Sequence, residues 1–336
     1  MDVLDRRLVA ALQVNPRASW GEIGRAVGEH ERTVARRLQR LLADGAVRVT
    51  AIYDDLRSGT GRPAHLHVQV RPGLVEEVAR ALADRPDTRS VYAITGAADI
   101  SCELIAPARQ AMHDILAAQI TTIDGVLQTR TQVVLHTFRT VAEWHAPYLT
   151  DAEVAELLPP PPLEPLHPEP LPPEPLPDRD GLAAGEREVA ELLVADGRIG
   201  FTAIAERLDI SVPTARRRVA SLFERRLLRP RAEIEPALLG LEVEAQLWLS
   251  VHPRGLDRAG ETLAAHPGVR YCAATSGSHT MIVQVATAHE ADLYRFLTGV
   301  VGTLRDVNDV NITLMTHAYK RGHLRKSGLL TLGRPA

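Results

Sequence analysis

Two short segments of this chain concentrate guanidinium and hydroxyl groups. One runs from His30 through Arg32, Thr33, Arg36, Arg37 and Arg40; the other carries Ser211, Pro213, Thr214, Arg216, Arg217, Arg218 and Ser221. A guanidinium presents N–H donors in a planar fork that matches two phosphate oxygens, or the two acceptors on the edge of a guanine, and a hydroxyl can bond a phosphate oxygen. At about 100° per residue, Val34, Leu38 and Leu41 make one apolar stripe and leave Arg32, Thr33, Arg36 and Arg40 on the opposite side. In the second segment Ala215, Val219 and Leu222 make the stripe. Pro213, Thr214, Arg217 and Ser221 then face away from it, with Arg216 and Arg218 flanking. One arginine-rich helix alone could equally be a solvated face. Two of them, at the same place in two similar settings, point to double-stranded DNA as the partner.

The setting is a run of three helices. Leu4, Leu8, Ala11 and Leu12 recur at helical spacing until Asn15-Pro16 breaks the pattern. A second helix is expected from Ser19 or Trp20 to Val27, because Ser19 with Glu22 three residues on forms a capping box. Gly28 supplies a turn, and a third helix runs from Glu31 to a stop at Asp44-Gly45. This is the order of a helix-turn-helix. Shifting the sequence by 181 residues repeats it without a gap: Arg17 falls on Arg198, Thr33 on Thr214, Arg36-Arg37 on Arg217-Arg218, Gly96 on Gly277 and His136 on His317. The residues leading into the two third helices differ, Glu29-His30-Glu31-Arg32 against Ile210-Ser211-Val212-Pro213, so unequal DNA half-sites are expected.

Charge follows the same division. Residues 1–50 and 182–231 each carry net +3, residues 151–180 carry −7, and the whole chain of 336 residues carries −3. Leu157 to Pro177 holds eleven prolines with a Glu-Pro-Leu beat, which predicts a stiff acidic polyproline II spacer. Behind each helical part the pattern turns to alternation. Strands are expected over His65–Val70, Val91–Ile94, Ile100–Ile105 and Val126–Phe138, and helices over Leu74–Ala83 and Ala108–Ile120. The order βαββαβ is ferredoxin-like, with helices on one sheet face and the other face left for another copy, in the same chain or another.

The expected fold class is therefore α+β, with two winged helix-turn-helix domains and two ferredoxin-like βαββαβ domains in tandem. The boundaries are 1–60 for the first DNA-binding domain, 61–150 for the first effector and dimerisation domain, and 151–181 for the linker. The second pair follows at 182–241 and 242–322, with a tail at 323–336. Cys102 and Cys272 have no paired spacing and are expected to be buried free thiols. No apolar stretch approaches a membrane span and the charged start is not a signal core, so a cytoplasmic protein is expected. There is no G-x-S-x-G, P-loop or H-E-x-x-H, so no catalytic residue, cofactor or metal is assigned. His65 and His67 share a strand face and could ligate a metal, but their counterparts are Gln246 and Trp248. A sheet-face role suits them better.

Leu4-Asp5-Arg6-Arg7-Leu8, Arg17-Ala18-Ser19, the run Thr33 to Val47 ending Asp44-Gly45-Ala46-Val47, Thr95-Gly96-Ala97-Ala98-Asp99 and Thr129-Arg130-Thr131 together resemble the Lrp/AsnC, or feast/famine, regulator family, here as two full-length units. The resemblance implies a transcriptional regulator, not an enzyme. Its second domain would bind an amino acid or related metabolite at a dimer interface, with intrachain pairing of the copies and homo-oligomers as further expectations. It places effector contacts on Gly96, Asp99, Thr129 and Thr131, where a carboxylate could answer an α-ammonium and hydroxyls a carboxylate. Asp99 could instead simply close a hairpin. In the second copy Gly277 persists, but Thr280 replaces the Asp, and Val310 and Ile312 replace the threonines. The first copy is thus the expected sensor and the second a weakened or retuned one, through His279. Relatives of this architecture also resemble sirohaem decarboxylases. The segments Tyr53-Asp54-Asp55-Leu56-Arg57 and Ile234-Glu235-Pro236-Ala237 lack the His that such an enzyme needs. A scaffold that binds no DNA and works through its proline run is the third possibility.

Overall fold

The expected helix signals are read by the backbone where they fall. In a computed structural model, which describes residues 1–107, 109–158, 181–183, 185–326 and 332–335, Ser19 and Glu22 form the capping box and Gly28 ends the helix at φ +73°. The first copy gives α1 (Val3–Val14), α2 (Trp20–Val27), α3 (Glu31–Ala43), β1 (Val47–Tyr53), the single turn α4 (Asp55–Ser58), β2 (Arg62–Val70), α5 (Val75–Ala83), β3 (Thr88–Ile94) and β4 (Ile100–Ala106). It ends with α6 (Arg109–Asp114), which runs on as a π-helical stretch over Ile115–Ile120, and β5 (Val126–Arg139). After α7 (Asp151–Leu157) the second copy gives α8 (Glu186–Ala195), α9 (Phe201–Leu208), α10 (Val212–Glu224), β6 (Leu228–Ile234) and β7 (Val243–Val251). Then come α11 (Leu256–Ala264), β8 (Val269–Thr275), β9 (Met281–Thr287), α12 (Glu290–Gly299), β10 (Val307–Arg321), β11 (Leu324–Lys326) and β12 (Leu332–Pro335). The fold is the α+β one expected, two winged helix-turn-helix heads and two ferredoxin-like domains.

The chain divides into two units, which cut across the copies. One holds Met1–Thr60 with His145–Glu235, the other Gly61–Trp144 with Pro236–Arg334. Three boundaries set by composition therefore move. His145–Thr150 group with the heads, and Pro236–Leu241 group with the sheets. Residues 151–157, placed in the linker because they are acidic, form a helix with a Thr150–Glu153 capping box. Asn15 donates to the Leu157 carbonyl (3.0 Å) and Arg7 pairs with Glu153, fixing this helix to the first head. The proline run beyond Leu158 lies outside the described residues. The tail, too, is partly structured, since β11 and β12 extend the sheet beyond β10.

In the head unit the stripes Val34/Leu38/Leu41 and Ala215/Val219/Leu222 are buried, as their spacing requires. The wings β1 and β6 pair antiparallel along their length, Val47 opposite Ile234 and Tyr53 opposite Leu228. A reciprocal clasp joins the heads. Arg17 donates to the Gly197 and Ile199 carbonyls (2.6 and 3.2 Å), and Arg198 donates to those of Pro16 and Ala18 (2.7 and 2.9 Å). Arg198 also lies over the Trp20 ring at 4.1 Å and Arg17 over Phe201 at 5.5 Å. Charge-assisted bonds to carbonyls are among the stronger hydrogen bonds, and the rings recover part of what burying a guanidinium costs.

In the sheet unit the order β3-β4-β2-β5 continues through β8-β9-β7, and β10 pairs with both β7 and β3. Eight strands thus close into a ring, which removes the free edges a four-stranded sheet would have. Outside the ring each copy packs its helices on its own apolar face, with Leu66, Leu82 and Leu104 at 0% exposure in one core and Leu247, Leu263 and Val283 in the other. A fully buried side chain of this kind contributes about 1.5–3 kcal/mol. Cys102 and Cys272 are buried and free, and burial raises both thiols.

Candidate functional site

The first head presents His30, Arg32, Thr33 and Arg36 together with Gln39 around one open groove on α3. His30, Arg32 and Arg36 are exposed. Arg37 and Arg40, which composition places with them, are instead used to hold α3 onto α1. Arg37 donates to Asp2 (2.6 Å) and Asp5 (2.9 Å), and Arg40 to the other oxygen of Asp5 (2.9 Å). Arg40 stays half-exposed at 57% and keeps donors facing solvent, whereas Arg37 is mostly covered.

The second head follows the same plan with different atoms. Ser211 caps α10 by accepting from the Thr214 amide (3.2 Å), and Pro213 sits in the first turn, where a missing N–H costs nothing. Arg217 is exposed, and Arg216 is exposed with its guanidinium over Phe201 at 4.8 Å. Arg218 donates to the Gly185 carbonyl (3.2 Å) and Ser221 to Glu186 (2.8 Å), so both serve the α8–α10 contact. Burial would raise the Glu186 carboxyl, but the Ala183 amide, Ser221 and Arg225 outweigh it and hold it below the usual range. Of the thirteen positions expected to touch DNA, Arg37, Arg218 and Ser221 are thus occupied within the head.

The effector residues separate in the same manner. Gly96 and Gly277 take φ of +102° and +100° in equivalent turns, a region that favours glycine. Asp99 accepts from the Val70 amide (2.7 Å) and Thr280 from the Val251 amide (2.9 Å), each closing the end of a strand. The Asp99 side chain thus ties the β3–β4 turn to the end of β2. Thr129 and Thr131 stand opposite Val68 and Leu66 and share their helix-side face. His279 is different, because it lines a cleft inside the ring.

That cleft joins His65 and His67, whose spacing predicts a sheet face, to residues that no motif singles out. His65, His67 and Gln69 of β2 meet Gln128, Arg130 and Gln132 of β5, their partners across the ladder. The second copy contributes Trp248, Ser278, His279, Asn311 and Thr313. The free space is about 60 Å³, room for roughly four to six waters. His67 lies edge-on to Trp248, with ring centroids 4.5 Å apart. Burial, then the neighbouring His65, His279 and Arg130, bring His67 down to about 4. Among the described residues, three buried polar atoms here find no hydrogen-bond partner: His67 Nε2, Gln132 Oε1 and Trp248 Nε1. The signal was present in the alternation of β2 and β5, whose inward positions are polar where a sheet packed on a sheet would be apolar. Among the described residues no group of three His, Cys, Asp or Glu is placed to hold a metal, and no helix is long and apolar enough to cross a membrane.

Comparison with known proteins agrees with this architecture. The AsnC-type helix-turn-helix domain matches residues 1–42, a winged helix-turn-helix DNA-binding domain residues 186–225, and the Lrp/AsnC ligand binding domain residues 64–142 and again 244–324. An uncharacterised HTH-type transcriptional regulator of Pyrococcus furiosus is 30% identical over 135 residues, 40% of this chain and 91% of that protein. The HTH-type transcriptional regulator FL11 of Pyrococcus horikoshii is 31% identical over 144 residues, 43% of this chain and 95% of that protein. Over the whole chain, the crystal structure of the siroheme decarboxylase NirDL is similar at a TM-score of 0.61 with 15% identity, covering 97% of this chain and 95% of that one; at such identity the likeness is one of fold. The matches to both halves, at the positions the internal repeat predicts, make the chain a member of the Lrp/AsnC family.

Proposed function

We propose that this Lrp/AsnC protein is a cytoplasmic transcriptional regulator that binds double-stranded DNA through α3 and α10 and answers to a small metabolite held in its sheet unit. One observation carries the DNA-binding reading: His30, Arg32, Thr33 and Arg36 are presented outward on α3, and Ser211, Thr214, Arg216 and Arg217 on or beside the first turns of α10. The Arg17/Arg198 clasp and the β1–β6 ladder support a second element of the proposal, that one chain acts as its own dimer and offers two unlike reading helices to one operator. Such chains would assemble further into homo-oligomers. The test is a titration of the full chain against duplex DNA at two salt concentrations. Phosphate contacts make log K fall linearly with log salt, by about 0.9 for each contact.

The likeness to NirDL raises the reading of a sirohaem-decarboxylating enzyme. About 60 Å³ of free space in the cleft favours a ligand of amino-acid size over a tetrapyrrole. Incubation with sirohaem followed by an absorption spectrum tests this; a shifted Soret-region band would favour the enzyme.

A further inference from the structure

We infer that the cleft inside the strand ring takes a small organic acid by its carboxylate and disfavours the matching α-amino acid. This rests on the proposed role of the sheet unit as a sensor and specifies its ligand class. Arg130, His67 and His279 converge on the cleft, with His65 behind them. No carboxylate is among its lining residues. Nearby carboxylates are engaged: Asp99 accepts from the Val70 amide, Glu103 pairs with Arg89 at 3.3 Å, and Asp309 lies 3.6 Å from His279, 67% exposed. A carboxylate entering this space meets the Trp248 indole N–H, His67 Nε2 in the tautomer that carries its proton there, and the Arg130 guanidinium. A ligand oxygen bonded to these buried atoms satisfies them directly. An α-ammonium in the same place would face Arg130 with no anion to offset it. A hydroxyl suits better, since Gln132 Oε1 is a buried acceptor without a donor. The enclosed free space takes about four to six non-hydrogen atoms, the size of a carboxylate with its α-carbon and α-substituent.

The pairing of unlike residues across the internal two-fold is what makes the site possible. His67 stands where the second copy has Trp248, Arg130 where it has Asn311, and Gln132 where it has Thr313. Two identical copies would place either two arginines or none around the ligand, whereas this duplicated chain offers one cationic wall and one aromatic wall.

The experiment is calorimetry on the full-length protein at pH 7 with two matched series, lactate, pyruvate and alanine, then 2-hydroxyisocaproate, 2-oxoisocaproate and leucine. DNA affinity and melting temperature are followed on the same samples. At least one acid is expected to bind tenfold or more tightly than its amino acid, to raise the melting temperature and to change the Trp248 emission. Arg130→Gln, at an exposed strand position, should keep the wild-type melting temperature and lose tenfold or more in acid affinity. Amino acids binding as tightly as the acids would overturn this ligand class and leave the sensor reading standing. Acid affinity unchanged in both Arg130→Gln and His67→Gln would overturn the site. Silence of both series, in binding and in DNA affinity, would remove the site and the sensor reading together.

Discussion

At the place where the first copy carries His67, the second carries Trp248; where α3 is tied down by Asp5 to two arginines, α10 is tied down by Glu186 to Ser221 and Arg225. The backbone bonds around these residues are nevertheless the same. Thr95 and Leu314 exchange hydrogen bonds between the copies, and so do Ser276 and Val133. Gln69 donates to the Ala97 carbonyl as Ser250 does to that of Ser278. Duplication within one chain preserved the interactions that close the ring and the head pair, and released the inward and outward side chains to diverge. A symmetric homodimer would hold both in step, because each substitution there appears twice.

The difference between copies can be broken most sharply at the cleft. Trp248 is 1% exposed, so Trp248→Ala should cost about 3–5 kcal/mol in urea unfolding, while His67→Ala at the equivalent place should cost under about 2 kcal/mol. Equal costs would mean the two walls are not distinct. Next comes acidity. The folded state holds His67 near 4 against about 6.5 in an unfolded chain, so the unfolded state binds more protons in between. Stability of the sheet unit should therefore fall as pH drops from 6.5 to 4, by at most about 3 kcal/mol. The groups facing His67 are His65, His279 and Arg130, with Glu103 acting on His65. His67→Gln should flatten that slope in melts followed by circular dichroism.

The second head should lose stability in acid as well. Glu186 is depressed in the folded state, so its contribution is present above about 4.5 and is lost as pH falls through its folded value. Glu186→Gln should cost about 2 kcal/mol at neutral pH and remove that acid loss. Hydrogen exchange over α8 and α10 is the readout, and protection there that is unchanged by the variant would refute the anchoring role. The smallest effect is expected at the matched turn residues. Asp99→Ala and Thr280→Ala should each cost about 1 kcal/mol of stability and leave ligand affinity within about twofold. A tenfold loss for Asp99→Ala alone would make it an effector contact.

Much of this was legible in the chain before any coordinates. Capping residues, a glycine turn and a three-to-four residue apolar spacing are local signals, so α2, α3 and α10 lie where Ser19, Gly28, the Val34–Leu41 stripe and the Ala215–Leu222 stripe put them. The repeat fixed the equivalence of the copies. Partner choice was not legible in the same way. Whether Arg37 reaches out to phosphate or back to Asp2 and Asp5 depends on where α1 crosses α3, which no spacing within one helix encodes. Residues 151–157 read as linker because acidic composition hides a capping box whose partner helix lies far back in sequence. Thr129 and Thr131 look like a binding pair, yet the register of β5 on β2 turns them to the helix side and brings Arg130 and Gln132 inward. A strand's sequence gives its alternation, and only its pairing decides which face is which.

DNA recognition by this chain requires that the outward arginines of both heads contact duplex phosphate or base. The direct measurement is the slope of log K against log salt for the full chain, beside Arg36→Ala and Arg217→Ala singly and together. Each substitution should weaken binding about tenfold or more and lower the slope by about 1, with the losses adding. A slope near zero in the parent chain, or one that neither substitution moves, would contradict DNA recognition by these helices.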